Sequence, residues 1–454
     1  MSTEKHFVQR INFMKHFQCI GGSCWDNCCL GWTVDVDKKT LKRYEKQAPE
    51  LLDKTVERID KTGTKMKFDG KRCICLDKDN MCVVHAKYGE DFLPCICYYF
   101  PNIYKQLDKD IYMPTGLGCP ASMEAALYAK DSTEFGWHET EVPRVREQLV
   151  DYMQNAISKD KEQLLDIHKT CMNIVSDEKS SANELLSKLL LFVSEYSLMD
   201  SGRKIKKYKD LVEKVNKKEF SQKPLDMVTL VENISKILDL LIIMQDKATN
   251  VLFKAIAEIV IKNLKESAPL NNVESIKNQV DVLKKDEAVL KNEELMKKIK
   301  DLESKVGALD KKADTSEMDK IVEELKKDKI HVENQDLLFL LEKWNVKAKN
   351  EVDKLFKNYI RAKLVECIFP ICDYWLDERK TVFMLTIQYL LIRLILMNFM
   401  DKDGNLPNKE EIIKIFQVVD KFFYSRKKQK TMDMCMGIFD CQQTNYLINL
   451  IKSL

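Results

Sequence analysis

From about residue 136 onward, apolar residues recur at intervals of three and four, the period of a helix that buries one face. Leu185, Leu186, Leu189, Leu190 and Val193 form one such stripe, and Val228, Val231, Ile234, Ile237, Leu238 and Leu241 form a longer one. Both predict helices facing a core. The most apolar stretch, Thr381 to Met400, has the length of a membrane span but carries Gln388, Arg393 and Asn398. An arginine at mid-helix is costly in lipid, so the stretch predicts a buried helix and no transmembrane span. Residues 268–330 break the apolar pattern with lysine- and glutamate-rich sequence in which Leu295, Ile299, Leu302, Val306 and Leu309 alternate by four and three. That seam predicts a short coiled coil, broken at Asp314-Thr315-Ser316-Glu317 before a returning helix with Met318, Ile321 and Leu325. The resulting hairpin suits a homo-oligomer contact, a partner-binding arm or a solvated insertion.

Before residue 136 the pattern is different, with short segments and most of the glycines that form turns. Asp37 stands where an N-cap belongs, ahead of a helix running towards Arg58. The segment from Cys73 to Cys82 predicts two short extended pieces joined by a polar turn at Asp77-Lys78-Asp79-Asn80. The chain is therefore expected to be mainly α. A loop-rich cysteine-cluster module (1–135) leads into a helical domain (136–267 and 331–454) interrupted by the protruding hairpin (268–330).

A chain of 454 residues can bury a substantial core and needs no disulfides to fold. The first residues, Met1 to His6, lack the apolar run of a secretory signal, which predicts a cytoplasmic protein with reduced or metal-bound thiols. Charged residues make up 32% of the chain but nearly cancel to +3, a balance that argues against a dedicated nucleic-acid binder.

The chemistry is expected among the cysteines. Ten of the fifteen fall within the first 119 residues, and three stand together in Cys24-Trp25-Asp26-Asn27-Cys28-Cys29. Thiolates crowded in this way repel one another and oxidise readily, so the packing points to a soft metal or a cluster. On spacing alone, structural zinc, an iron–sulfur cluster and disulfides or free thiols all remain open. Cys171, Cys367, Cys372, Cys435 and Cys441 are scattered and suit ordinary buried thiols. His85 is the one histidine inside the cysteine blocks and suits an ordinary polar position. Trp25 and Trp32 are placed to shield the thiols from water.

In order, the module carries Cys19, Gly21-Gly22, Cys24, Cys28-Cys29, Gly31-Trp32 and Asp37. Cys73, Leu76-Asp77, Cys82, Gly89-Glu90, Cys97-Tyr98-Tyr99-Phe100-Pro101 and Cys119-Pro120 follow. Over roughly the first 130 residues this series resembles the flagellin lysine-N-methylase family, within a wider set of iron- or zinc-chelating cysteine-cluster proteins. The resemblance implies a cytoplasmic protein-lysine N-methyltransferase that moves a methyl group from S-adenosylmethionine to flagellin lysines, with a four-iron four-sulfur (4Fe-4S) cluster at the cysteine motif. Cys24, Cys28, Cys29 and Cys97 are the first candidates for ligands it implies, with Cys19, Cys73, Cys82 and Cys119 behind them. The alternative is a non-enzymatic zinc-binding scaffold.

Three features depart from that pattern: Asn102 follows Pro101 where the family commonly has arginine, Cys75 and Cys95 are additional, and the 268–330 segment has no counterpart. Neither the Cys-x-x-x-Cys-x-x-Cys signature of common radical enzymes nor a G-x-G-x-x-G loop is present. Lysine methylation needs a neutral amine, which requires desolvation or a base. Asp26, Tyr98 and Tyr99 lie beside the cysteine blocks and are the candidates for contacting cofactor or substrate, with packing as the simpler role for the tyrosines. Asp77 suits the turn.

Overall fold

Asp37 opens the first helix as its position predicts: its carboxylate accepts the Thr40 backbone N–H at 2.9 Å. The helix does not run on to Arg58. It stops at Ala48, because the residue before a proline is pushed out of the helical region, and Pro49 starts a second, shorter helix.

The structure is a computed structural model. It describes residues 5–30, 34–59, 63–70, 72–107, 110–128, 134–141, 159–198, 210–218, 227–248, 250–266, 344, 349–369, 378–401, 403–423, 428–439 and 443–452. The predicted hairpin at 268–330, Trp32, Cys372 and Cys441 lie outside these residues. The fold is mainly α with a loop-rich N-terminal region, as the sequence patterns predict.

In chain order the strands are β1 (Lys5–Ile11), β2 (Val56–Ile59), β3 (Gly63–Met66), β4 (Phe68–Asp69), β5 (Arg72–Cys73), β6 (Lys105–Leu107), β7 (Asp110–Met113) and β8 (Phe135–Glu141). The helices that matter below are α1 (Lys38–Gln47), α2 (Pro49–Thr55), α3 (Val83–Tyr88), α4 (Cys95–Tyr99), α5 (Pro120–Tyr128), α6 (Lys159–Val175), α7 (Ala182–Ser197), α8 (Met227–Lys247), α9 (Val251–Glu266), α10 (Lys349–Glu366), α11 (Glu378–Asn398) and α12 (Lys409–Phe423).

The chain divides into two units. The first comprises Met1–Asp177, Leu355–Glu378 and Phe416–Tyr424; the second comprises Glu178–Lys354, Arg379–Ile415 and Ser425–Leu454.

The first unit contains a four-stranded sheet in the order β6-β7-β1-β8, in which β1 runs parallel to β7 and antiparallel to β8. Val8, Cys95, Tyr99, Ile111 and Met113 pack together on it. A second apolar cluster joins Val34, Val36, Tyr44, Leu51, Val56, Met66 and Val84 with the buried Cys73 and Cys75. The segments of α10 and α12 in this unit meet through Phe416, whose ring centroid lies 5.2 Å from Phe356 and 5.3 Å from Tyr359. Asn358 Nδ2 donates to the Leu127 carbonyl and Arg361 Nε to the Val175 carbonyl, both at 2.9 Å, which satisfies acceptors left open at the ends of α5 and α6.

On α6, His168 is buried with its Nδ1 2.8 Å from the Phe369 carbonyl. A carbonyl only accepts, so Nδ1 carries the proton. Burial lowers the imidazole pKa from 6.5 to about 4, against the hydrogen bond to Phe369. A depressed histidine pKa favours the neutral ring in the folded state. Its stabilisation is therefore complete above pH 6.5 and is lost as pH falls towards 4, in all on the order of 3 kcal/mol. Denaturant unfolding followed between pH 7.5 and 4.5 is expected to show a steeper acid loss in the wild type than in His168→Gln. Parallel curves would reject this assignment.

The second unit buries the first predicted stripe fully, with Leu185, Leu186, Leu189, Leu190 and Val193 at 0–1% exposure on α7. Ser181 and Glu184 close a capping box at its start. On α8, Ile234, Ile237 and Leu241 are buried as predicted, while Leu240 takes the buried place beside a half-buried Leu238. Helix α11 is the one helix among the described residues long and apolar enough to cross a membrane, and 89% of its apolar window is buried in protein. Its Arg393 is 7% exposed, donates to Asn183 Oδ1 at 2.8 Å and to the Tyr389 hydroxyl at 3.1 Å, and lies over the Trp344 ring. The arginine that argued against lipid thus finds polar partners inside the protein.

Candidate metal centre

The cysteine blocks are far apart in sequence and are tied to one another by backbone and polar contacts. Cys73 N–H donates to the Cys29 carbonyl and Val83 N–H to the Cys75 carbonyl, at 2.9 and 2.8 Å. The Asn27 side chain accepts from Cys29 N–H at 2.9 Å and donates to the Asn80 carbonyl at 3.1 Å, while Arg72 donates to Asn80 Oδ1 at 2.6 Å. Asp77 makes the predicted turn, its Oδ1 accepting from Asp79 N–H and Met81 N–H at 2.9 Å each. On the other side, Asp37 Oδ2 accepts Cys95 N–H at 2.9 Å, and the Tyr44 hydroxyl donates to the Phe92 carbonyl at 2.6 Å. Burial opposes charge on Asp37, but these donors from Thr40 and Cys95 hold its carboxyl below the ordinary range.

Gly22 is where the Cys19–Cys24 loop meets the Asp77 turn. A Cβ there would lie 2.3 Å from the Asp79 carbonyl oxygen, a backbone atom that cannot rotate aside. Gly22→Ala is expected to separate the two loops and destabilise the first unit by about 1–3 kcal/mol. An unchanged melting temperature would show that the contact is not required.

None of the thirteen described cysteines is in a disulfide, so the disulfide alternative is not realised among them. Cys29, Cys82 and Cys97 pack against the apolar cluster that holds Cys73 and Cys75. Two thiol pairs are joined by a hydrogen bond. A hydrogen bond from Cys29 pulls Cys28 down; desolvation of its sulfur works against this although the residue is exposed, Lys421 adds to the lowering, and Cys29 is pushed far up. In the same way the Cys75 thiol draws Cys73 down to about 7, with burial opposing and Arg72 assisting, and Cys75 is raised. Burial raises Cys24 to about 11 and lifts Cys82, Cys97 and Cys119 as well. Cys82 and Cys119 stand at the starts of α3 and α5, where backbone N–H groups offset part of that rise.

The electrostatic neighbours define two overlapping groups. Cys24, Cys28 and Cys119 act on one another, and Cys97 feels Cys28, Cys73 and Cys82. Cys28 belongs to both. Reduced thiols, a soft donor set and facing cations suit a thiophilic metal or cluster. As placed, no three His, Cys, Asp or Glu side chains among the described residues converge on a single ion position.

Contributions from beyond residue 350 were not visible in the cysteine motif. On α12, Lys421 Nζ lies 2.6 Å from Asp26 Oδ1, and Gln417 Nε2 donates to Asp26 Oδ2 at 2.5 Å and to the Gly118 carbonyl at 2.8 Å. Behind the Gly116–Cys119 turn, Lys363 pairs with Glu366 and, at 2.8 Å, with Asp420 Oδ1, which also accepts from the Tyr359 hydroxyl at 3.0 Å. Glu366 Oε1 accepts Leu117 N–H at 3.2 Å, and the buried Lys105 donates to the Glu366 carbonyl at 2.8 Å. Burial raises Glu366. It would lower Lys363, but the carboxylates of Asp420 and Glu366 hold that ammonium well above its ordinary range.

Of the candidates for cofactor contact, Asp26 has both carboxylate oxygens engaged by α12. Tyr99 is buried edge-on between Tyr98 and Tyr104, at centroid distances of 4.9 and 4.5 Å. Tyr98 is half-buried. Cys19 is exposed and accepts Gly21 N–H, and His85 is exposed beside Cys82.

No family model matches the chain, and no solved structure matches it. Curated proteins do. The chain is 28% identical over 133 residues to "Flagellar biosynthetic protein FliU" of Salmonella muenchen, which covers 27% of this chain and 79% of that protein. It is 27% identical over 130 residues to a protein named "Lysine-N-methylase" of Salmonella choleraesuis (strain SC-B67), and 26% identical over 130 residues to one of the same name from Salmonella typhimurium. Each of those two alignments covers 26% of this chain, and the chain spans only 32% of the length of either methylase. Over about a quarter of its length, then, the chain is similar to proteins named for flagellar biosynthesis and for lysine N-methylation.

Proposed function

We propose that this chain is a protein-lysine N-methyltransferase that uses S-adenosylmethionine, holds a 4Fe-4S cluster on its N-terminal cysteines and acts on flagellin in the cytoplasm. The observation that carries the reading is the proximity of thiols outside any disulfide from the 24–29, 73–82, 97 and 119 positions in a chain similar to lysine-N-methylases. Cys24, Cys28, Cys29 and Cys97 are the proposed ligands, with Cys73, Cys82 and Cys119 next and Cys19 at the exposed edge. When bound through three of these thiols, such a cluster would leave one iron for the amino and carboxylate groups of the methyl donor; with all four as ligands it would be saturated. The chain's own residues stabilise the thiolates through Lys421 and Arg72 and exclude water through the apolar cluster around Cys73 and Cys75. Tyr98 and Tyr99 form an edge-on aromatic pair beside Cys95, and Asp26 orients the Cys24–Cys28 loop.

The burial of Cys73 and Cys75 in an apolar cluster also favours a second reading, a closed zinc site in a non-enzymatic scaffold. Anaerobic purification separates the two. A brown protein with iron and acid-labile sulfide, a rise in melting temperature with S-adenosylmethionine and methyl additions on flagellin lysines support the enzyme. A colourless protein with stoichiometric zinc and no response to the methyl donor supports the scaffold.

A further inference from the structure

Gln417 and Lys421 lie one turn apart on α12 and so share a face of that helix. Both reach into the cysteine module. The Gln417 amide holds the Gly118 carbonyl, immediately before Cys119, and Asp26, between Cys24 and Cys28. Lys421 holds the other oxygen of Asp26 and is the cation whose field reaches Cys28. Gln417 is fully buried, whereas the Lys421 side chain is 37% exposed and that of Asp26 10%.

We infer that the Asp26–Lys421 pair, braced by Gln417, is a charge-setting and positioning device for the metal centre: it fixes the Cys24–Cys28 loop beside Cys119 and sets the local field. The inference rests on the cluster reading given above. Adding an electron to a thiolate-ligated centre makes it more negative, so a nearby cation favours the reduced form and a nearby anion disfavours it. As an ion pair the two partners nearly cancel. Removing one exposes the field of the other, so the two deletions act with opposite sign.

The test is the midpoint potential of the iron-loaded full chain, with iron per chain and the melting temperature of the metal-free protein measured alongside. Lys421→Met leaves Asp26 unpaired and is expected to shift the potential to more negative values. Asp26→Asn leaves the lysine unpaired and is expected to shift it to more positive values, and Lys421→Arg is expected to restore the wild-type potential. A merely structural role lowers melting temperature and iron content in both variants without opposite shifts. Shifts of the same sign, or none, in iron-loaded variants overturn the inference alone. A wild-type chain that takes up no iron overturns the cluster reading and this inference with it.

Discussion

Serine in place of both Cys28 and Cys29 is expected to strip the chain of bound metal, with loss of visible absorption and of any methyl transfer. Cys28 is the thiol common to both electrostatic groups, and a hydrogen bond from Cys29 lowers its pKa. A serine hydroxyl at either position is a hard donor that stays protonated at neutral pH, so it replaces neither the thiolate ligand nor its charge. Plasma mass spectrometry of the anaerobically purified variant measures the effect. Cys435→Ser, at a buried thiol of the second unit, is the control expected to keep its metal. Full metal content in the Cys28, Cys29 double variant would remove these two residues from the ligand set.

The second large effect is expected at Lys363, the cation between two buried carboxylates. Its side chain is 15% exposed, while those of Glu366 and Asp420 are 1% and 0%. Lys363→Met leaves two anions facing each other without a counter-charge. Breaking a buried pair in this way costs about 3–5 kcal/mol. Because Glu366 also accepts the Leu117 N–H, the loss would spread to the turn that presents Cys119. Denaturant unfolding measures the effect on the first unit, and adding Asp420→Asn to Lys363→Met is expected to recover part of it, a non-additivity that marks coupled charges. Additive losses would mean that Lys363 and Asp420 stabilise the fold independently.

Local signals in the sequence were the dependable ones. Asp37 caps α1, Asp77 makes its turn, and the Leu185–Val193 stripe is buried, because each depends on residues within one or two turns of chain. The sheet was not legible. Strands β1 and β8 pair along all seven residues, yet some 130 positions separate them. Lys5-His6-Phe7-Val8-Gln9-Arg10-Ile11 lacks a clean alternation that would announce a half-buried strand. The helix predicted to run to Arg58 failed for a local reason that was on view, the proline at position 49.

By itself the sequence determined a mainly helical chain, a concentration of thiols near the N-terminus and the apolar faces of the long helices, since composition and short-range periodicity carry that information. Tertiary structure decided which thiols become neighbours, which of them are hydrogen-bonded, and which charges face them. Asp26 and Lys421 are 395 positions apart, and Leu117 and Glu366 are 249 apart. No spacing rule links such residues; they meet because α10 and α12 each contribute a segment to the core that also holds the cysteine loops, and buried polar groups there must be paired.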